Sequence, residues 1–456
     1  MSNNNGSRKA GFGDTRLDNR LEILINQLGS DPTASVSAAC GDPYQAKAVY
    51  RFTANDNVTV EAIVDKARKA TMDNIYADRP LVVLLPQDTT EMNYNNLKET
   101  EGLGNIGTRK SDMGIIAHSS IALSEMGMIY GLMAQKIWTR PPEEHGKSGM
   151  RSTLPIEDKE SYKWIGTMEN VGTDFPEGTM VVHICDREGD IFEFFCRANE
   201  LGVNYLCRRF HERKIMSGNG AEKLDEYVET LPAAGTITVQ VPRDSHTNRA
   251  ARKAEVEIKF GRCAIKSPSN LVNKKNYPQT IEVYVVSAIE KDPPQGEKGV
   301  RWQLVTNVPT TKFEDAVTRV VWYTQRWKIE ILHRTLKSGC KVEELQSESA
   351  EKLEKLIAIY SIIALQIMLI GYAARLRPDA SCEQWLGETE WKILYKAANK
   401  TKEVPEEAPT IREAVRMIAK LGGFLGRKSD GEPGVTVVWR GLAKLYTILE
   451  VAEFLM

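Results

Sequence analysis

The chain has 456 residues, enough for two to four domains and for a core that needs no disulfide or metal staple. Its 42% hydrophobic and 27% charged residues are those of an ordinary globular protein, and a net charge of −1 argues mildly against a uniformly basic nucleic-acid binder. Seven scattered cysteines without a C-x-x-C pair point away from a disulfide framework or zinc site, and towards a reducing cytosol.

In chain order, the polar start Met1 to Ala10 has no apolar centre and is no secretory signal. Leu17 to Leu28 carries one apolar stripe and predicts an amphipathic helix. After the link Gly29 to Pro32, Pro43 to Phe52 and Val58 to Tyr76 predict two more helices, with Asn57 as N-cap of the second. Residues 1–72 therefore form a small helical domain. Leu81 to Leu85 is a short apolar run that predicts a buried strand ended by Pro86. Further strands are predicted at Gly114 to Leu123 and Met128 to Trp138, then a helix from Glu157 to Val171 and a strand from Thr179 to Cys185. A helix (Ile191 to Leu201) and a strand (Asn204 to Arg208) follow. Between about 210 and 306 the residues alternate at Thr236 to Val241, Glu255 to Phe260, Thr280 to Ile289 and Trp302 to Val305, which predicts a β insertion. Helices are expected from near Lys312 and over Arg326 to Lys337, and an all-helical region closes the chain from about 376 to 456. The apolar stretch Leu356 to Tyr372 falls short of the roughly 18 residues of a membrane span and reads as a buried helix.

Positive charge is clustered. Arg243 to Lys275 holds nine Lys/Arg against three acids, and Arg319 to Lys341 holds six against Glu330 alone. Asp88 follows one buried strand and Asp186 another, in Cys185-Asp186-Arg187-Glu188-Gly189-Asp190. Asp88 taken alone reads more readily as a turn-forming or helix-capping residue. Two strands that each end in an aspartate would set the carboxylates side by side, rigid and open to solvent, as a metal site requires. Asp190 is expected to cap the next helix, and Glu188 to be solvated. Tyr323-x2-Arg326-x3-Glu330-x6-Lys337 would stack residues 323, 330 and 337 on one helix face at about 100° per residue, with Arg326 and Arg334 a turn to either side. Such a stripe is an ion-pair ladder or a site for metal and phosphate together. Phosphodiester cleavage needs an activated oxygen nucleophile and a stabilised leaving oxygen. Two Mg²⁺ ions roughly 3.5–4 Å apart supply both, and carboxylates hold them.

These motifs resemble the DDE transposases of the insertion-sequence-four group: Asp88-Thr-Thr, the Cys185-to-Asp190 segment and the string from Tyr323 to Lys337. Gly13-Asp14-Thr-Arg16-Leu-Asp-Asn-Arg20-Leu, Ala48-Val-Tyr50-Arg51-Phe52, His118-Ser119, Trp138-Thr-Arg140-Pro141 and Leu421-Gly422-Gly423-Phe424 follow the same family in order and spacing, so the resemblance covers nearly the whole chain. It implies an α/β fold: a ribonuclease-H-like catalytic core (73–375) with a β-rich insertion (about 210–306), flanked by N-terminal and C-terminal all-helical domains (1–72 and 376–456) for end binding and dimerisation. It implies a cut-and-paste enzyme that nicks the transposon end hydrolytically, forms and reopens a hairpin, and joins the 3′ ends to target DNA. The catalytic and metal-holding residues would be Asp88, Asp186 and Glu330, with two Mg²⁺ per site and Mn²⁺ able to substitute. DNA contacts carry over to Tyr323, Arg326, Lys337, Arg208, His333, Arg334, Arg16, Arg20, Arg51, Arg249, Arg252 and Lys253, and Trp302 to a base-stacking position. For Trp302 and Tyr50 a place in the core is an equal reading, and His118 reads as a satisfied strand histidine. Partners would be double-stranded transposon-end DNA, target DNA and a second copy in the DNA-paired complex, with no membrane, in a bacterial cytosol. The chain departs from the family in having little before Gly13 that could form a helix. Competing readings are a junction resolvase, which would lack the flanking regions, and a non-catalytic transposition inhibitor or domesticated DNA-binding relative.

Overall fold

The computed structural model describes residues 11–141, 153–218, 220, 222–241, 250–427 and 430–455. The first elements are α1 (Thr15–Ser30), α2 (Val36–Ala39), α3 (Pro43–Thr53), α4 (Val60–Asp78), β1 (Val82–Asn93), β2 (Gly104–Asn105), β3 (Met113–Ser124) and β4 (Ile129–Trp138). There follow α5 (Tyr162–Val171), β5 (Met180–Cys185), α6 (Phe192–Leu201), β6 (Asn204–Arg208), β7 (Ile215–Met216), α7 (Leu224–Thr230), β8 (Gly235–Val241), β9 (Arg252–Lys266), β10 (Thr280–Glu290) and β11 (Arg301–Thr306). Helices close the chain: α8 (Phe313–Thr324), α9 (Trp327–Arg334), α10 (Ala350–Leu376), α11 (Glu388–Asn399), α12 (Ile411–Leu421) and α13 (Val435–Leu455).

Two compact units result: Ile75–Asp88 with Gly146–Ile329, and Met1–Asn74 with Thr89–His145 and Glu330–Met456. In the second of these, the N-terminal helices start where a side chain can accept the first free amides. Asp14 accepts from Arg16 N at 2.9 Å, and Asp42 from Tyr44 N at 2.8 Å with Pro43 in the first turn. The cap of α4 is Thr59, whose Oγ1 accepts from Ala62 N at 3.1 Å, and not the expected Asn57. Leu21, Leu24 and Leu28 bury the apolar stripe of α1 completely. In the same unit β3 and β4 pair antiparallel, and β3 lies next to β1. Gly131 of β4 adopts φ +148°, and a Cβ there would fall 2.2 Å from Thr71 Oγ1 of α4. The bare backbone lets Thr71 donate to Leu132 O at 2.8 Å. Helix α10 is by length and composition apolar enough to cross a membrane, more than the sequence count allowed, but 67% of its most apolar window is buried in the protein.

In the other unit β1, β5 and β6 run parallel, joined in register from Val82↔Met180 to Pro86↔Ile184 and from Val182↔Asn204 to Cys185↔Cys207. A parallel sheet needs cover on its faces. Trp164 of α5, with Phe192, Phe194 and Phe195 of α6, supplies it, and Phe195 stacks on Tyr205 with centroids 4.7 Å apart. The insertion then adds β11, β10 and β9 antiparallel, with β7 and β8 both on β9. The antiparallel strands beside β1, the parallel β1–β5–β6 set and the α6 crossover make this a ribonuclease-H-like α/β core with a β-rich insertion and helical N- and C-terminal regions.

Three expectations change. Pro86 does not end its strand: only the pairing with β5 stops there, and β1 continues to Asn93. The Tyr323-to-Lys337 string is not one helix. Gln325 N to Trp322 O (3.0 Å) and Arg326 N to Tyr323 O (3.1 Å) tighten a turn between α8 and α9, and a π turn at Thr335–Gly339 carries Lys337. Asp190 does not cap α6, which begins at an Ile191 cap without a side-chain hydrogen bond.

Candidate active site

Parallel pairing joins the two strands that lead to the aspartates. The β1–β5 register pairs each residue with one 98 positions on, up to Pro86↔Ile184. Asp88 and Asp186 each lie two residues beyond that last pair, at the same end of the β1–β5 pairing. Asp186 is held by its own turn, Oδ1 accepting from Glu188 N at 2.8 Å. Glu188 faces Lys163 at 3.4 Å and so is not merely solvated. Asp190 serves the turn from below. Its fully buried carboxylate pairs with Arg213 and accepts from Phe210 N and His211 N, both at 2.8 Å. On the opposite sheet face Gln87 Nε2 meets His183 Nδ1 at 3.0 Å. Burial drives the His183 pKa down to about 3, so this imidazole is neutral.

Arg326, in the turn before α9, sets Nη1 3.4 Å from Asp88 Oδ2. It also lines a cavity of about 620 Å³ with Arg187, Arg208, Arg301, Trp302, Tyr323 and Trp327. Lys298 lines it as well, and among the described residues no acid does. Trp302 and Tyr323 meet edge to face at 5.7 Å, while Trp327 is 38% exposed. Burial pushes the Tyr323 hydroxyl up to about 12, against the pull of Arg326 and Arg208, so it stays protonated as a donor. Burial also lowers the Arg208 pKa, which a hydrogen bond with Tyr323 partly offsets. Cations and aromatic rings without a carboxylate suit a phosphate and an unstacked base together.

Sequence reading missed Arg187, Lys298, Arg301 and Trp327. Arg187 and Trp327 each adjoin a residue it did select, and Arg301-Trp302 repeats the pairing of cation and ring. The remaining candidates divide. Glu330 is half-buried in α9, Arg334 is exposed and His333 is buried. Lys337 donates to Glu91 O and lies 3.8 Å from Glu343. Arg252 is engaged by Glu290 and Glu297, while Lys253 is exposed on β9. Arg16 pairs with Asp14 at 2.9 Å; Arg20 is half-buried and Arg51 exposed. Arg249 lies outside the described residues. His118 is buried and bonded to Thr89 Oγ1 at 2.8 Å, as expected of a strand histidine.

Among the described residues no three His, Cys, Asp or Glu side chains are gathered closely enough to hold a metal by themselves. A pair of hard carboxylates still fits Mg²⁺, which keeps several waters and takes the rest of its shell from substrate phosphate.

Three family models match the chain: Transposase DNA-binding over residues 4–58, Transposase DDE domain over 206–367, and Transposase Tn5 dimerisation domain over 362–455. The chain belongs to the DDE transposases. Within them it is of the Tn5-like kind, a DNA transposase whose partners are DNA and a second copy of itself. Among solved structures the chain is similar to a piggyBac transposase synaptic complex with hairpin DNA seen by cryo-EM, at 10% identity and a TM-score of 0.34 over 87% of this chain and 77% of that one.

Proposed function

We propose that the chain is a cut-and-paste transposase in which Asp88, Asp186 and Glu330 hold divalent metal, Mg²⁺ or Mn²⁺, at a transposon end. The observation that carries this is the parallel pairing of β1 with β5, which ends two residues before Asp88 and Asp186, with Arg326 leading from Asp88 into a cavity of cations and rings. The bound metals supply an activated oxygen nucleophile and a neutralised leaving oxygen. Arg326 grips the phosphate next to the scissile bond, Arg208 and Arg301 its neighbours, and the Tyr323 hydroxyl donates to a phosphate oxygen. Trp302 stacks on a base turned out of the duplex, worth about 1–3 kcal/mol. A base removed from the stack lets the strand turn sharply, which suits a hairpin intermediate. The full reaction is then nicking, hairpin formation by the freed 3′-hydroxyl, reopening, and joining of both 3′ ends to target DNA. Residues 1–72 read the end, 73–375 cut, and 376–456 pair the subunits. The seven free, buried cysteines suit a reducing cytosol.

The test is cleavage of a labelled duplex bearing the transposon's own end with Mg²⁺, by the wild type and by Glu330→Ala. Nicked and hairpin products from the wild type alone support the reading. If both proteins bind and pair ends but neither cuts, the chain is an inhibitor.

A further inference from the structure

A second cavity, of about 650 Å³, lies in the unit that holds Asp186, between the start of α6, the chain from His211 to Lys214 and the loop after β9. Its walls carry Lys159, Lys214, Lys266 and Lys274, from three separate stretches of chain, and none of the four has an acidic partner among the described residues. The acids nearby are mostly used. Asp190 is closed off by Arg213 and two backbone amides, and Glu212 faces Arg209 at 3.4 Å. Glu193 alone of the lining acids has no basic partner among the described residues. The Nε of Arg213, a residue only 6% exposed, has no hydrogen-bond partner among the described residues. The first turn of α6 opens here with no side-chain cap, so its amides add to the positive potential. Ser161, Ser267, Ser269 and Asn270 supply neutral donors. At the edge Phe210 is 63% exposed and meets the His211 ring at 5.0 Å.

We propose that this cavity binds the phosphodiester backbone of DNA, at a place separate from the Arg326 cavity. Four unpaired ammonium groups around an open hollow fit a polyanion passing over it better than a small ligand needing enclosure. Lysines meet phosphates as point charges, so the interaction adds affinity and register without reading sequence. The proposal rests on DNA being the ligand of this chain, but not on which residues cut it.

The test is the salt dependence of binding to an end duplex and to an unrelated duplex, for the wild type and for Lys159→Ala/Lys214→Ala/Lys266→Ala/Lys274→Ala. Each phosphate that the variant no longer neutralises should flatten log K against log salt by about 0.9. The expected result is a slope shallower by roughly 2–4 on both duplexes, with wild-type nicking by the DNA-saturated complex. Glu330→Ala should keep the wild-type slope, which separates this proposal from the catalytic one. An unchanged slope in a variant that melts like the wild type overturns the proposal. So does loss of inorganic pyrophosphate binding with the DNA slope intact. Should the fourfold variant fail to fold, Lys214→Gln and Lys274→Gln, both exposed, replace it; if neither flattens the slope the proposal is overturned.

Discussion

Side chains of one type do different work here according to what surrounds them. Asp88 and Asp186 follow the last pair of two parallel strands, with Arg326 reaching the first, whereas Asp190 lies four residues after Asp186 with its carboxylate wholly buried on Arg213. Substituting Asp88 or Asp186 by Asn should lower end nicking by more than about a hundredfold, beyond what loss of a supporting residue costs, while gel-shift affinity for end DNA stays. Asp190→Ala should instead destabilise its unit by about 3–5 kcal/mol, because it strands a buried guanidinium. Urea unfolding followed by tryptophan fluorescence checks it, and an unchanged midpoint would show that water reaches Arg213. Arg252 teaches the same lesson: its position in a basic stretch suggested DNA, but Glu290 and Glu297 hold it.

At the level of elements, the buried Gln87–His183 pair ties β1 to β5 behind the aspartates. The His183 pKa falls from 6.5 to about 3 in the folded state, so the unfolded chain binds the extra proton between those values. Stability is therefore full above about pH 6.5 and is lost progressively as pH falls towards 3. Thermal melts from pH 7 to 4 should show that decline, and His183→Asn should flatten it. Helix α3 has its own anchor. The buried Lys355 of α10 donates to Thr53 O at 3.1 Å and Asn55 O at 3.4 Å, where the helix dipole favours a cation. Lys355→Met should expose residues 50–60 to limited proteolysis and weaken end binding; an unchanged cleavage pattern would make the anchor redundant.

For the whole molecule, the C-terminal match to a dimerisation domain meets two large apolar side chains left in water, Leu425 at 70% and Val451 at 55% exposed. Leu425→Asp/Val451→Asp should reduce the paired-end complex seen by native gel and leave binding of a single end intact. If pairing survives, the subunits meet elsewhere. Both changes are on the surface, so melting should shift little.

Local pattern alone determined much of this protein. Short apolar runs marked β5 and β6 nearly to the residue, because a strand covered on both faces reads as a near-continuous apolar run. The same runs flagged Asp88 and Asp186, each standing just past one. Sequence also separated the helical ends from the β insertion through a change of period. Tertiary structure decided what period cannot express. Whether β1 stops at Pro86 depends on which neighbour it pairs with, and whether the Tyr323-to-Lys337 string is one helix depends on how its turns are packed. Which arginines remain available for phosphate is set by acids far away in sequence, such as Glu290 for Arg252. The Arg326 cavity gathers residues from 187 to 327, and only the folded sheet brings them together. Periodicity reports the face a residue turns to its near neighbours along the chain, while charge pairing and cavities are settled by neighbours a hundred residues away.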